Sequence, residues 1–158
     1  MLQSVLGDRR IGSVCLELRG FFVTGLWRMS LGASADPRLI PGEANGVFNL
    51  VGYARQLSDG KLYYLYATTS NIPETYIPLA MYRAEADGVT GQTQLRTDAY
   101  VPREVLWSPD GSGAVIIDIT QAIATGNYPD TGPLLYLKSD GSPAVPLIDN
   151  ARLLRWGK

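Results

Sequence analysis

The sequence predicts an all-β fold assembled from repeated units of four short antiparallel strands. One turn signal recurs at intervals of about fifty residues, and a second turn signal recurs in phase with it. Glycines and ten prolines separate short apolar runs, which is the pattern of strands and turns. No long run with a helical period is present. Because the two signals recur with the same period, they predict this fold more strongly than any single turn does.

The first signal is a tight turn that ends in glycine. Apolar runs at residues 62–67 and 114–117 follow its first two copies, so each of these copies is predicted to be a hairpin turn. Aspartate supplies a short acceptor for backbone amides there, and glycine adopts a positive φ without strain. The three copies are Ser58-Asp59-Gly60, Trp107-Ser108-Pro109-Asp110-Gly111 and Trp156-Gly157.

The second signal is an apolar or aromatic strand followed by a glycine turn. A short strand that closes on a leucine comes after each turn, at residues 37–40, 93–96 and 145–148. Each repeat therefore contains four strands. The aromatic strands contain Leu26-Trp27, Met81-Tyr82 and Leu135-Tyr136, and their turns end at Gly32, Gly88 and Gly141.

With residues 107–111 as its best motif, the chain from Leu26 onward resembles the TolB-like, WD40-like family of β-propeller repeats. The copy at residues 58–60 lacks the tryptophan and the proline, and the copy at Trp156 stops before the turn is complete. The resemblance implies β-propeller blades of four antiparallel strands. It also implies an extracytoplasmic location, for which an export signal is expected outside the printed sequence, because charged residues interrupt its first apolar stretch.

Counting strands divides the chain into about three blades. Residues 47–97 and 98–149 are each predicted to form one blade. Residues 1–46 supply the later strands of a split blade, and residues 150–158 supply the first strand of that blade or of the next. Propellers close with four to eight blades, so these three need completion. A homodimer with a six-bladed ring, a longer polypeptide and a partner that carries the missing blades would each provide it, and the complementary ends favour the homodimer.

Aromatic side chains are expected in the packing between blades. Tyr64 and Tyr66 share one face of their strand, and Tyr63 lies on the other face. Trp107 and Trp156 occupy equivalent positions of the repeat, so both are predicted to pack between neighbouring blades.

Composition indicates a folded globular chain that binds neither nucleic acid nor membrane. Of the 158 residues, 46% are apolar and 18% are charged, and 14 basic against 15 acidic side chains leave a formal net charge of −1. This balance provides no field that attracts nucleic acid or an anionic bilayer. The single Cys15 excludes a disulfide within the chain and is predicted to be a small buried hydrophobe.

The chain contains no histidine, which excludes a Ser-His-Asp triad and a metal centre held by histidines. Paired carboxylates can work without histidine, and Glu74, Asp98, Asp130 and Asp149 are expected between strands. Acids in such places ordinarily serve as solvated side chains or as local caps for backbone amides. We therefore expect no catalytic residue, no cofactor and no metal site.

The two longest connections, residues 68–76 and 120–132, are the expected places of function, since loops on a rigid scaffold commonly carry binding sites. Each contains a proline, an acid and a tyrosine, and tyrosine is favoured at interfaces. The sequence thus predicts a non-enzymatic scaffold module that binds a protein or peptide partner. An accessory or gating propeller of a peptidase or glycan-processing enzyme, and a structural subunit of a larger complex, stay open. The candidate binding residues are Asn71, Glu74, Tyr76, Asn127, Tyr128 and Asp130.

Overall fold

The computed structural model describes residues 13–19, 22–29, 38–71 and 75–152. These residues fold into two antiparallel β-sheets, neither of which closes on itself. The predicted all-β fold class is therefore confirmed. The described elements are β1 (Ser13–Arg19), β2 (Phe22–Met29), β3 (Arg38–Ile40), β4 (Glu43–Ala44), β5 (Val47–Gln56), β6 (Leu62–Thr69), β7 (Leu79–Ala84), β8 (Thr93–Tyr100), β9 (Pro102–Trp107), β10 (Gly113–Asp118), α1 (Thr120–Ala124), β11 (Gly132–Lys138) and β12 (Val145–Ala151).

The first sheet combines two groups of strands. Strands β5 to β8 pair in sequence order and form what we call the middle meander. Strands β1, β2 and β3 form the N-terminal group, in which β2 pairs with both of the others. The pair Thr24–Leu50 joins the two groups. The short β4 forms a hairpin with β5 across Asn45 and Gly46.

The second sheet, which we call the C-terminal sheet, contains β9 to β12, again paired in sequence order. The short α1 lies in the connection between β10 and β11. The Asp118 carboxylate accepts the backbone N–H of Thr120 at 3.0 Å, which ends β10 and starts the turn into the helix. Across the described part of the chain, no helix has the length and apolar character needed to cross a membrane.

The Asp-Gly pairs form hairpin turns, as the sequence predicts. Gly60, Gly88, Gly111 and Gly141 have φ between 73° and 79°, a region that other residues enter only with strain. In each turn the aspartate accepts a backbone N–H two residues further on, at 2.9–3.0 Å. The hydroxyl of Ser108 and the amide of Ser112 bond the Asp110 carboxylate and lower its pKa to about 2.

The main core lies between the middle meander and the C-terminal sheet. Tyr63 from β6 and Trp107 from β9 pack with their ring centroids 5.7 Å apart, and Trp107 is only 3% exposed. Trp107 therefore packs between the two sheets, whereas Trp156 lies outside the described residues. The buried members of this core are Leu57, Tyr63, Leu65, Met81, Trp107, Ala114, Ile116 and Leu137.

The opposite face of the middle meander is also buried. Leu26 and Ile40 of the N-terminal group pack there against Leu62 and Tyr64. Tyr66 joins Tyr64 on this face, with ring centroids 6.1 Å apart, so the predicted division of the three neighbouring tyrosines between two faces is confirmed. The middle meander is therefore covered on both sides. Cys15 lies in β1, and its side chain is outside the described set.

A buried arginine ties the middle meander to the last hairpin. Arg96 of β8 is 3% exposed and donates to the carbonyl oxygens of Lys138 and Ser142 at 2.8 and 2.7 Å. It also forms a bidentate ion pair with the carboxylate of Asp98. Burial alone would raise the pKa of Asp98, but the hydrogen bonds from Arg96 and Tyr100 outweigh it and lower that pKa.

Candidate functional site

The two connections in which function is expected meet at one end of the sheets. The rings of Tyr76 and Tyr128 lie with their centroids 5.4 Å apart and tilted by 59°. The hydroxyl of Thr75 is 3.1 Å from the Tyr128 hydroxyl. Both rings stay accessible, since Tyr76 is 37% and Tyr128 is 54% exposed. Residues more than fifty positions apart in the sequence thus form one aromatic surface.

Local hydrogen bonds shape the connection that carries Tyr128. The helix α1 ends after one turn, and the backbone N–H of Asn127 then bonds the carbonyl of Ala122 at 2.9 Å. Gly126 has a φ of 76°, which reverses the chain as glycine does at the end of a helix. The Asn127 side chain donates to the Thr125 hydroxyl at 3.1 Å. These bonds hold Tyr128 at the outer end of a short, closed turn.

A third tyrosine, Tyr53, was missed by the sequence analysis. It stands in β5 at a β-bulge, where residues 53 and 54 together oppose one residue of β6. Its φ of 54° is rare for an aromatic residue and costs about 1–3 kcal/mol. No sequence signal marks this position, because the surrounding strand pattern predicts an ordinary extended residue.

Contacts with the C-terminal sheet keep Tyr53 in this conformation. Its hydroxyl donates to the carbonyl oxygens of Pro102 and Arg103 at 2.9 and 3.1 Å, and its own carbonyl accepts the indole N–H of Trp107 at 2.7 Å. Burial of the hydroxyl, with a smaller contribution from neighbouring Tyr76, raises the pKa of Tyr53 to about 12 although Arg103 opposes the shift. The residue as a whole remains 38% exposed.

An exposed ion pair borders the tyrosines. Arg103 Nη2 lies 2.6 Å from an Asp130 carboxylate oxygen, and their side chains are 47% and 65% exposed. A pair this exposed adds about 1 kcal/mol or less to stability. It leaves a positive and a negative group at the edge of an aromatic surface. We call Tyr53, Tyr76, Arg103, Tyr128 and Asp130 together the tyrosine face.

The structure separates the six candidate residues into three sets. Tyr76, Tyr128 and Asp130 belong to the tyrosine face. Asn127 bonds within its own turn, and the carbonyl of Asn71 accepts the Thr69 hydroxyl at 2.8 Å at the end of β6. Glu74 lies outside the described residues. Sequence analysis missed Tyr53 and Arg103, because only the folded chain brings them to the predicted loops. It also missed Thr75, which lies within residues 68–76 and contacts Tyr128 only in the folded chain.

Two of the acids expected between strands are placed differently. Asp98 lies inside β8, and Asp149 lies inside β12. The sequence interpretation was wrong here because both strands continue beyond the leucine at which they were expected to close. Asp98 is engaged by Arg96, and Asp130 by Arg103. Among the described residues, no cluster of three or more acids and cysteines is arranged to hold a metal ion.

A shallow apolar cavity of about 140 Å³ lies beside the connection between β10 and β11. Ile119, Ala122, Pro129 and Pro133 are among its lining residues. Cavities that enclose small-molecule ligands usually measure about 300–1,000 Å³. This cavity therefore suits a single small apolar group of a larger ligand better than a whole cofactor.

Comparison of the chain with protein-family models, with curated proteins and with solved structures finds no match.

Proposed function

We propose that this chain is a non-enzymatic scaffold module that binds a protein or peptide partner through the tyrosine face. The contact between Tyr76 and Tyr128 carries the proposal. It turns two separate loops into one continuous surface with exposed rings. Tyrosine and arginine are the residue types that concentrate binding energy in protein interfaces.

The way in which this surface is held in place supports a role in binding a partner, beyond the role of connecting strands. Tyr53 is held at both ends by the C-terminal sheet, so its ring is positioned before any partner arrives. A positioned aromatic ring loses little conformational entropy on binding. The Arg103–Asp130 pair adds groups that can hydrogen-bond a peptide backbone or a polar side chain.

The proposal includes the β-propeller architecture. The middle meander and the C-terminal sheet would each be a four-stranded blade, and the N-terminal group would be the later part of a third. Two features support this reading: strands pair in sequence order within each group, and successive groups stack through their apolar faces. Three blades would make half of a six-bladed ring.

The test is selection of binders from a phage-displayed library of random peptides. We expect peptides that are enriched on the natural chain to lose at least about tenfold in affinity on the Tyr76→Ala/Tyr128→Ala double variant, which is about 1.4 kcal/mol. Thermal unfolding of both proteins checks that the fold is kept.

Two control variants sharpen this test. Val89→Ala changes an apolar residue of similar exposure, 52%, in the turn between β7 and β8, and should leave binding unchanged. Tyr128→Phe keeps the ring and removes the hydroxyl near Thr75, so it should keep most of the affinity. If no peptide is enriched, or if the double variant binds as well as the natural chain, the proposal is wrong.

A further inference from the structure

One face of the C-terminal sheet is apolar, and its outer part lies open among the described residues. Paired residues of neighbouring strands share a face, which assigns Val115, Ile117, Leu134, Tyr136, Val145 and Ile148 to the side opposite the main core. We call this side the far face. Its outer strand is the most exposed part, since Val145 is 39% and Ile148 is 56% exposed.

None of the buried clusters formed by the described residues contains a far-face residue. Val115 and Leu134 are partly exposed. Ile117 is already covered within the chain, where it lies close to Gly132 at the start of β11. An apolar sheet face of this kind ordinarily marks a contact surface.

The face of the middle meander that packs on the C-terminal sheet can be compared with the far face, position by position. Positions can be compared by counting from the first rung beside each hairpin turn, which is Gln56–Leu62 in one sheet and Trp107–Ala114 in the other. Counted this way, the residues through which the middle meander packs on its neighbour have apolar equivalents on the far face. The equivalent pairs are Tyr63 with Val115, Leu65 with Ile117, and Met81 with Leu134.

Tyr63, Leu65 and Met81 are 1–3% exposed because the C-terminal sheet covers them. The far face therefore carries the contact residues of a stacking sheet at the positions where stacking occurs once already in this chain.

We infer that the far face packs against the N-terminal group of a second copy of this chain. This inference rests on the proposed blade architecture. The N-terminal group stacks on the middle meander, and the middle meander stacks on the C-terminal sheet. A third contact of the same kind, from the C-terminal sheet of one chain to the N-terminal group of a second, together with its two-fold equivalent, closes a ring of two chains.

Strand count and charge agree with a second copy as the occupant. Among the described residues, the N-terminal group has three strands where the other two groups have four, and β1 is the end strand of the first sheet, so a strand from a second copy can pair along β1. The formal net charge of −1 produces little repulsion between copies.

Light scattering during gel filtration tests the inference on the full chain. We expect a mass about twice 17.2 kDa for the natural protein. The Val145→Glu/Ile148→Glu variant should run at the mass of one chain, since it places two charges on the exposed part of the far face. Val89→Glu adds a charge at a residue of comparable exposure away from this face and should remain a dimer. A monomeric natural protein, or a far-face variant that stays dimeric, overturns the inference.

A second measurement identifies which surface the far face contacts. A photo-crosslinking residue placed at position 148 should join residues 13–40 of the other chain, identified by mass spectrometry. A crosslink to residues 102–151 of the other chain would show face-to-face pairing and overturn the inference. Peptide capture by the Val145→Glu/Ile148→Glu variant distinguishes the two proposals, because the tyrosine face can bind in a monomer even when the dimer interface is wrong.

Discussion

The middle meander and the C-terminal sheet have the same strand order but different surroundings. The middle meander is covered on both faces, by the N-terminal group and by the C-terminal sheet. The C-terminal sheet is covered on one face, and its far face leaves Val145 and Ile148 exposed. Because equivalent rungs of the two sheets carry apolar residues, the difference lies in the neighbours and not in the strands.

Apolar character alone does not bury a position. Met81 is buried at 1% exposure by the neighbouring sheet, while its equivalent Leu134 is only partly covered. Each buried aliphatic side chain stabilises a fold by about 1.5–3 kcal/mol. Part of the apolar area of the C-terminal sheet therefore contributes no such stabilisation within the described chain.

The largest loss of stability is expected from a substitution in the main core, between the middle meander and the C-terminal sheet. Trp107→Ala removes the largest side chain of the main core and the indole bond to the carbonyl of Tyr53. We expect the free energy of unfolding to fall by about 3–5 kcal/mol, measured by urea denaturation. A loss below about 1 kcal/mol would show that the sheets do not depend on this contact. Tyr128→Ala, an exposed aromatic substitution, serves as the control.

The next largest losses of stability are expected at two equivalent positions, Met81 and Leu134, and they should differ. Met81→Ala should lower the free energy of unfolding by about 2–5 kcal/mol, because it leaves a cavity in a closed core. Leu134→Ala should cost clearly less when both are measured in the Val145→Glu/Ile148→Glu background, in which we expect the far face to be open. Equal losses in that background would contradict the assigned difference between the two sheets.

The smallest loss of stability is expected at low pH from the ion pair between Asp98 and Arg96, the arginine that bonds the last hairpin. Because the pKa of Asp98 is lowered in the folded chain, its contribution is complete above the unfolded value of about 3.9. The contribution is lost as the pH falls through the folded pKa. The difference in melting temperature between the natural protein and Asp98→Asn should therefore shrink below about pH 4. An offset that is constant down to strongly acid pH would show that the carboxylate charge contributes nothing.

Local chemistry explains which features were predictable. Asp110 and Gly111 act within one turn, so their roles follow from adjacent residues. The division of Tyr63 and Tyr64 between two faces follows from strand alternation. The length of the two connections predicted where Tyr76 and Tyr128 of the tyrosine face lie. That the two connections contact each other could not be predicted from either segment alone.

Other features depend on contacts over long distances in the sequence. Arg96 would ordinarily be placed at the surface from its charge, yet it is buried because two carbonyl oxygens and a carboxylate bond its guanidinium. Tyr53 adopts a positive φ because partners at both of its ends, in the C-terminal sheet, hold it there. Apart from Asp98, which is two positions from Arg96, these partners are 42 to 54 positions away, beyond the reach of any local pattern.

The sequence by itself determined the all-β class, the hairpin turns and the alternation of apolar residues, because each depends on neighbours a few positions apart. Only the tertiary structure decided that Tyr76 contacts Tyr128, that Tyr53 lies near Tyr76, and that the middle meander is covered on both faces and the C-terminal sheet on one. Stacking of sheets brings distant residues together, and the energy of that stacking depends on complementary surfaces that no short segment contains.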